Sequence, residues 1–547
     1  MLRKRAREAV WAASAGAFSL LIAAWVLRVW DAALRVPLIP YGDALPIIVS
    51  VKSLIENGSF LTNPDMGAPF TSEVHDFGGM GGDLLQWTGM RILGLAVSDP
   101  VLIVNAWFMM GFFVIGAVSY AVLRDLRVDR LPSFILAVLL AVLPYHFFQG
   151  EPHLILAGYV AVPAAGWLVM RTLLGEPLTS RAARFGWRRL VTPRNGLVVA
   201  ACAIAGGTAL YYAVFTLLLL GAAIALRLML TRRLRSVRGP IIAWGAVVAT
   251  LMLTFIPALA YRVQNGANPA AAAPRLAFES DVYSFGLGQL LFSSWWHRLP
   301  FIADIGARYQ QGAVNFADPN VYVGMVFGIT FIGVLVALAV MTLRGRWPTG
   351  YMATQVRAAA LAAVGTFLIG TFGGVGSIIA HLVSPQIRVW TRITPFLAFF
   401  CAVLLGSLLT VLARRATASK RWRWLAIIAP LVIGVLGVAD QTSPALAPDH
   451  AANAVRWNTT RAFVREVERV MPADAMVLQL PLVPYPEGTP INEMEAYDHL
   501  LGTIHSSDLR WSFGAMKGRP EDWSSVAIER GLSNRQVVTG AAGAGFS

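Results

Sequence analysis

Apolar residues in this chain come in long, almost unbroken runs separated by short polar stretches, and the runs have helical rather than strand length. The first covers 10–30, and others lie at 101–122, 131–148, 154–174, 240–261, 320–343, 357–377, 394–413 and 424–439. Each holds roughly 17 to 25 residues, the length an α-helix needs to cross the hydrocarbon of a bilayer. The run at 196–230 is too long for one such helix and short for two. Gly206-Gly207 near its middle predicts two short spans joined by a tight turn, which makes about eleven crossings in all.

Charge tests this count, because cytoplasmic loops collect Lys and Arg. If the turn at Gly206 is real, every second loop must be basic. They are: Arg124/Arg127/Arg130, then Arg171 with Arg181, Arg184, Arg188, Arg189 and Arg194, then Arg232/Arg233/Arg235/Arg238, then Arg344/Arg346/Arg357, then Arg414/Arg415/Lys420/Arg421/Arg423. The first run is preceded by Arg3, Lys4, Arg5 and Arg7 and followed by no small-residue cleavage site. It therefore reads as an uncleaved first span with a cytoplasmic N-terminus, and an odd number of spans puts the C-terminus outside.

Composition agrees, with 56% apolar and only 14% charged residues. The net charge of +15 would point to nucleic acid in a soluble chain, but here it is spread over alternate loops, and no nucleic-acid partner is expected. Cys202 and Cys401 both lie in apolar runs and frame neither a disulfide nor a metal site.

The sequence divides into a membrane module, 1–440, and an external segment, 441–547. The module's external loops are 31–99, 149–153, 262–319 and 378–392. The first should hold two amphipathic interfacial helices, near 44–57 and 83–95, joined through Asn63-Pro64 and Gly78-Gly79. The third carries Phe278-Glu-Ser-Asp-Val-Tyr283 and Trp295-Trp-His-Arg298. In the tail, 461–470 looks helical and 475–480 alternates like a strand, predicting a small α/β domain.

Ionisable residues at the outer face carry the candidate chemistry. Asp43, in Pro40-Tyr-Gly-Asp-Ala-Leu-Pro46, follows the first span. Glu151 and His153 fill the short turn Gln149-Gly-Glu-Pro-His153, pinned between two helices. An acid from one loop and an acid-x-histidine pair from the next could share one cavity as a general base or as ligands of a divalent cation. Arg388 and Arg392, four apart before the tenth span, suit an anion, since unpaired cations at that depth are costly.

These features resemble the GT-C superfamily of integral-membrane glycosyltransferases: a basic N-terminus, an acid just after the first span, an acidic second external loop, about eleven spans and an external tail. The resemblance covers nearly the whole chain in architecture and little of it in motif. It implies an all-α polytopic fold and an inverting enzyme of a bacterial inner or plasma membrane. A sugar would move from a polyprenyl-phosphate donor to a glycan, lipid or protein acceptor at the external face. Asp43 matches the first-loop acid and would be the catalytic base. Glu151 and His153 stand where oligosaccharyltransferases carry a metal-holding acidic pair, so Mg or Mn could sit among Asp43, Glu151 and His153, although Glu-x-His departs from that pattern. Arg388 and Arg392 would grip the donor phosphate. The tail strings Leu480-Pro-Leu-Val-Pro-Tyr-Pro486 and Tyr497-Asp-His499 look like bacterial proteins of this architecture in which the soluble domain continues, so the domain is expected to extend past Ser547.

Plain structural roles stand beside each assignment. Asp43 and Asp83 could cap helices, and Glu151 and His153 could satisfy helix ends across a tight turn. Arg388 and Arg392 could snorkel to headgroups or pair with Glu279 and Asp281, themselves lower-ranked site candidates with His146, Tyr211 and Tyr212. An interfacial aromatic belt would account for both tyrosines. Two other classes compete with an enzyme: a transporter or flippase of lipid-linked glycans, and a non-catalytic membrane assembly protein. A transporter calls for mid-membrane charge and inverted repeats, neither of which the sequence displays.

Overall fold

The computed structural model describes residues 2–77, 83–179, 192–272, 274–292, 295–312, 321–345, 349–417 and 423–547. Gly78-Gly79 and the loop basic residues Arg181, Arg184, Arg188, Arg189, Arg346, Lys420 and Arg421 lie outside them. The chain is mostly helical and membrane-embedded in character. Seven helices are long and apolar enough to cross a bilayer: Arg5–Val26, Pro100–Asp125, Arg130–Gln149, Leu210–Thr231, Met325–Arg344, Tyr351–Gly370 and Trp390–Ala416. Two further pairs, Arg238–Thr254 with Ile256–Asn265 and Leu425–Gln441 with Pro444–Val470, are each bent by 49°, and counting each pair as one span makes nine among the described residues.

Local chemistry explains where these helices begin. Asp99 accepts a hydrogen bond from the Leu102 amide and Pro100 opens the helix, so the first orphan donors are met or absent. Thr192 and Pro193 do the same for the helix Pro193–Gly207.

Packing inside lipid depends on close backbone approach rather than on apolar burial alone. The helices Leu2–Val26 and Pro100–Asp125 cross at Gly16 and Gly116, where a Cβ on Gly116 would stand 2.6 Å from Ser19 Oγ. Gly206 corrects the turn assignment: it lies in the last turn of Pro193–Gly207, and a Cβ there would stand 2.7 Å from the Val247 carbonyl. It is a crossing point with Arg238–Thr254, while the chain breaks one step later at Thr208 and Ala209.

The predicted run 154–174 is also broken, into Leu154–Ala157 and Ala161–Leu174. One buried side chain serves both breaks. Gln86 Nε2 donates to the Ile155 and Thr208 carbonyls, 2.7 Å each, while its Oε1 accepts from Trp107 Nε1 at 3.1 Å. Backbone carbonyls freed from a helix in the membrane need such a donor.

The two ends of the bundle differ. At one, Glu8 binds Arg124, Arg130 and the Tyr120 hydroxyl, and Arg171 bridges Asp125 and Glu176. At the other, the first loop, the second turn and the tail pack together. The helix Ala44–Glu56 is buried from Ala44 through Leu54, so it is an internal helix and not the half-exposed interfacial one that its composition predicts. The tail helix spans His450–Val470, starting earlier than its apolar pattern indicates because Asp449 caps it through the Ala452 amide. The alternating stretch 475–480 forms only a two-residue strand, Met476–Val477, parallel to Arg510–Trp511. Trp511 also pairs with the first loop: its amide donates to Asp65 O, and its carbonyl accepts from the Ala68 amide. The tail and the first loop are one packed unit.

Candidate functional site

Asp43 occupies the N-cap position of Ala44–Glu56, yet its side chain makes no capping hydrogen bond. The carboxylate is half exposed and turns instead to His153, with Oδ2 3.8 Å from Nδ1. The acid of the first loop and the histidine of the second turn are thus neighbours.

Glu151 behaves differently from His153. It is 1% exposed, and its Oε2 accepts from the Ile39 amide at 2.9 Å. Its Oε1 is buried with no hydrogen-bond partner. Burial pushes the carboxyl up to about 8, because an ionised carboxylate out of water and away from a cation is costly. With one oxygen on the Ile39 amide and the other buried, Glu151 presents neither oxygen to a ligand lying between Asp43 and His153. Among the described residues no three His, Cys, Asp or Glu side chains converge as a metal-holding group. Glu151, turned to Ile39, does not join Asp43 and His153 around a cation.

The two arginines separate. Arg388 pairs with Glu279, Nη1 to Oε1 at 3.3 Å, and lies 5.2 Å from the Tyr283 ring. Arg392 lies 4.3 Å over the ring of Tyr211 and makes no ion pair among the described residues. A guanidinium stacked by its face keeps its edge N–H groups for an anion. Asp281 is taken up structurally, accepting from the Gly373 amide and Ser377 Oγ at 3.1 Å each. Tyr212 is buried, donating to the Leu156 carbonyl at 2.5 Å and lying 3.0 Å from the Tyr145 hydroxyl. Through Leu156, three residues past His153, the Arg392–Tyr211 corner joins the turn that holds the Asp43 partner. His146 is remote from water, stacked on Phe112 at 3.6 Å with Nδ1 on the Ala141 carbonyl.

Asp83 also stands at an N-cap without capping; its Oδ1 is buried without a partner, and burial pushes the carboxyl well above the ordinary range. His75 and Asp76 find partners far along the chain. His75 stacks on Tyr261 at 4.4 Å and Asp76 binds Arg519.

The tail supplies residues that motif reading misses. Glu495 Oε2 lies 3.3 Å from where a Cβ on Gly42 would be, one residue from Asp43. Arg456 lies 5.5 Å from the Tyr41 ring and pairs with Asp498 at 3.5 Å. Asn453 Nδ2 donates to the Leu38 carbonyl at 2.7 Å. No local signal marks these residues, since their partners lie some 400 positions away. A second missed cluster, His297, Tyr322 and the Met325 amide, closes on the Asp440 carboxylate and anchors the loop before Met325–Arg344. No protein-family model and no curated protein sequence matches the chain.

Proposed function

We propose that the protein is a membrane glycosyltransferase of GT-C type that moves a sugar from a polyprenyl-phosphate donor to a hydroxyl-bearing acceptor with inversion. The observation that carries this reading is Asp43: an acid free of the capping bond its position offers, half exposed, and facing His153. Asp43 takes the acceptor proton as the acceptor oxygen bonds to the sugar carbon and the carbon–phosphate oxygen bond breaks. His153, beside it, orients the acceptor. Arg392, stacked on Tyr211 and without an acidic partner among the described residues, takes the charge of the departing polyprenyl phosphate. Arg388, paired with Glu279, steadies the segment that presents Arg392.

In this reading the chain crosses the membrane eleven times. The short helices Ala161–Leu174 and Pro193–Gly207 count as crossings, because only then do the arginine-rich loops all fall on the cytoplasmic side. The site and the tail, taken as a small α/β domain, are then external.

The test is transfer of radiolabelled sugar from a panel of polyprenyl-phosphate sugars in vesicles carrying the full chain, comparing wild type with Asp43→Asn. Transfer by wild type and its loss in a folded Asp43→Asn protein is the expected result. Consumption of no donor, or equal transfer by both, overturns it in favour of a carrier of lipid-linked glycans or an assembly protein.

A further inference from the structure

One peptide group in the first loop is held from both sides. The N–H of Ile39 donates to Glu151 Oε2 at 2.9 Å, and the C=O of the same peptide unit, from Leu38, accepts from Asn453 Nδ2 at 2.7 Å. Glu151 belongs to the turn that follows the span Arg130–Gln149; Asn453 belongs to the tail helix His450–Val470. The two gripping residues are 302 positions apart in sequence, by their numbers.

The held peptide lies four residues before Asp43, and the connection is stiff. Pro37 and Pro40 flank it, each with its φ restricted by the ring, and 36–38 and 40 are buried. Behind it, Asn105 Nδ2 donates to the carbonyls of Leu34 and Val36 at 2.9 and 3.0 Å, fixing the strap to the helix Pro100–Asp125. The tail helix is tied to the start of the same strap, where His450 Nε2 lies 2.7 Å from the Leu27 carbonyl. Ahead of the clamp, Tyr41 lies under Arg456 and Gly42 under Glu495. A shift at Leu38–Ile39 therefore carries to Asp43 instead of dissipating in loose chain.

The chemistry of Glu151 fits this task. Both oxygens are inside the protein, one on Ile39 and one with no partner, so neither is presented to a ligand. A buried carboxyl retained there is explained by the strap it holds.

We propose that Glu151 and Asn453 are positioning residues that clamp the Leu38–Ile39 peptide and thereby set Asp43 against His153, so that the site is assembled only with the tail docked. The clamp gives the tail a role in the site through the first-loop strap. It rests on the reading of Asp43 as the reacting acid, but its geometry can be tested without any glycosyl donor.

The experiment is cross-linking by a short bifunctional maleimide in the solubilised full chain carrying Asp43→Cys with His153→Cys. The native Cys202 and Cys401 are buried and leave the background low. Cross-linking rates are compared with and without Asn453→Ala, Glu151→Ala and Glu151→Gln, with Thr459→Ala on the exposed face of the tail helix as control. Loss of one buried hydrogen bond should slow cross-linking about tenfold in the two alanine variants. Glu151→Gln keeps an acceptor for the Ile39 amide, so its rate, like that of the Thr459→Ala control, should stay within about twofold of the parent. Unchanged rates in Asn453→Ala and Glu151→Ala, or a Glu151→Gln variant as slow as Glu151→Ala, would overturn the clamp. Should Glu151→Ala not yield a monodisperse protein, hydrogen exchange at the Ile39 amide in Asn453→Ala decides: faster exchange supports the clamp, and unchanged exchange refutes it. A clamp that behaves as expected beside an Asp43→Asn protein that still transfers sugar leaves the clamp standing and removes the glycosyltransferase reading.

Discussion

Asp76 and Arg519 form a two-pronged ion pair across 443 positions, Nε to Oδ2 at 2.5 Å and Nη2 to Oδ1 at 2.7 Å. Both side chains are more than nine-tenths buried, and the guanidinium also donates to the carbonyls of Asn265 and Gly266. Three segments, the first loop, the end of the bent helix Ile256–Asn265 and the tail, thus meet at one residue.

Breaking this pair from one side leaves a buried charge unmatched, which costs about 3–5 kcal/mol. Arg519→Ala is expected to loosen the tail, seen as faster limited proteolysis beyond 441 and a lower unfolding temperature in detergent. Arg519→Lys should recover only part of the loss, because an ammonium lacks the planar fork.

The two arginines of the Arg388–Arg392 pair should part company on mutation. Under the proposed function, Arg392→Ala removes the N–H fork that would meet the donor phosphate, and donor binding should weaken roughly ten- to a hundredfold with little change in unfolding temperature. Arg388→Ala should instead lower stability by about 1 kcal/mol, since its half-buried partner Glu279 is left alone. Donor titration and thermal unfolding on the same two proteins check both halves.

Acidification should weaken the tail through His505. Its ring packs edge-on against Trp457 at 4.4 Å, and burial, with Arg461 and Arg465 nearby, holds it down to about 4. A histidine depressed in the fold is neutral there while the unfolded chain takes up a proton near 6.5. The stabilisation is therefore complete above 6.5 and lost progressively as pH falls toward 4, amounting to about 3 kcal/mol at full extent. Protease resistance of the tail measured across that range should fall in wild type and fall less in His505→Phe, the remainder being due to His499, which burial also depresses.

Helix crossings should be sensitive to single methyl groups. Gly206→Ala pushes a Cβ onto the Val247 backbone and should cost about 1–3 kcal/mol in thermal unfolding. Gly245→Ala, on the partner helix with nothing within 4 Å of its Cβ position, should be neutral or stabilise by up to ~1 kcal/mol.

What the sequence determined by itself was the solvent of the protein and most of its helices. Apolar runs of membrane length and basic alternate loops are local properties, read residue by residue, and they return the spans Arg5–Val26, Pro100–Asp125, Met325–Arg344 and Trp390–Ala416 within a few residues. The placing of Asp43 just beyond the first span was legible for the same reason. The break in the run 196–230 was legible to within two residues from Gly206-Gly207, but the break in 154–174 was not, because the donor that meets its carbonyl, Gln86, comes from another segment. Gly206 illustrates the limit, since a glycine reads as a turn until the Val247 backbone is seen against it.

Only the tertiary structure decided what the polar residues do. It brought His153 to Asp43, turned Glu151 away toward Ile39, gave Arg388 to Glu279 while leaving Arg392 on Tyr211, and set Asn453, Arg456 and Glu495 around the loop that carries Asp43. Hydropathy acts along the chain and shows in its pattern, whereas hydrogen bonds and ion pairs depend on distances of a few ångströms between segments hundreds of residues apart, which no local pattern encodes.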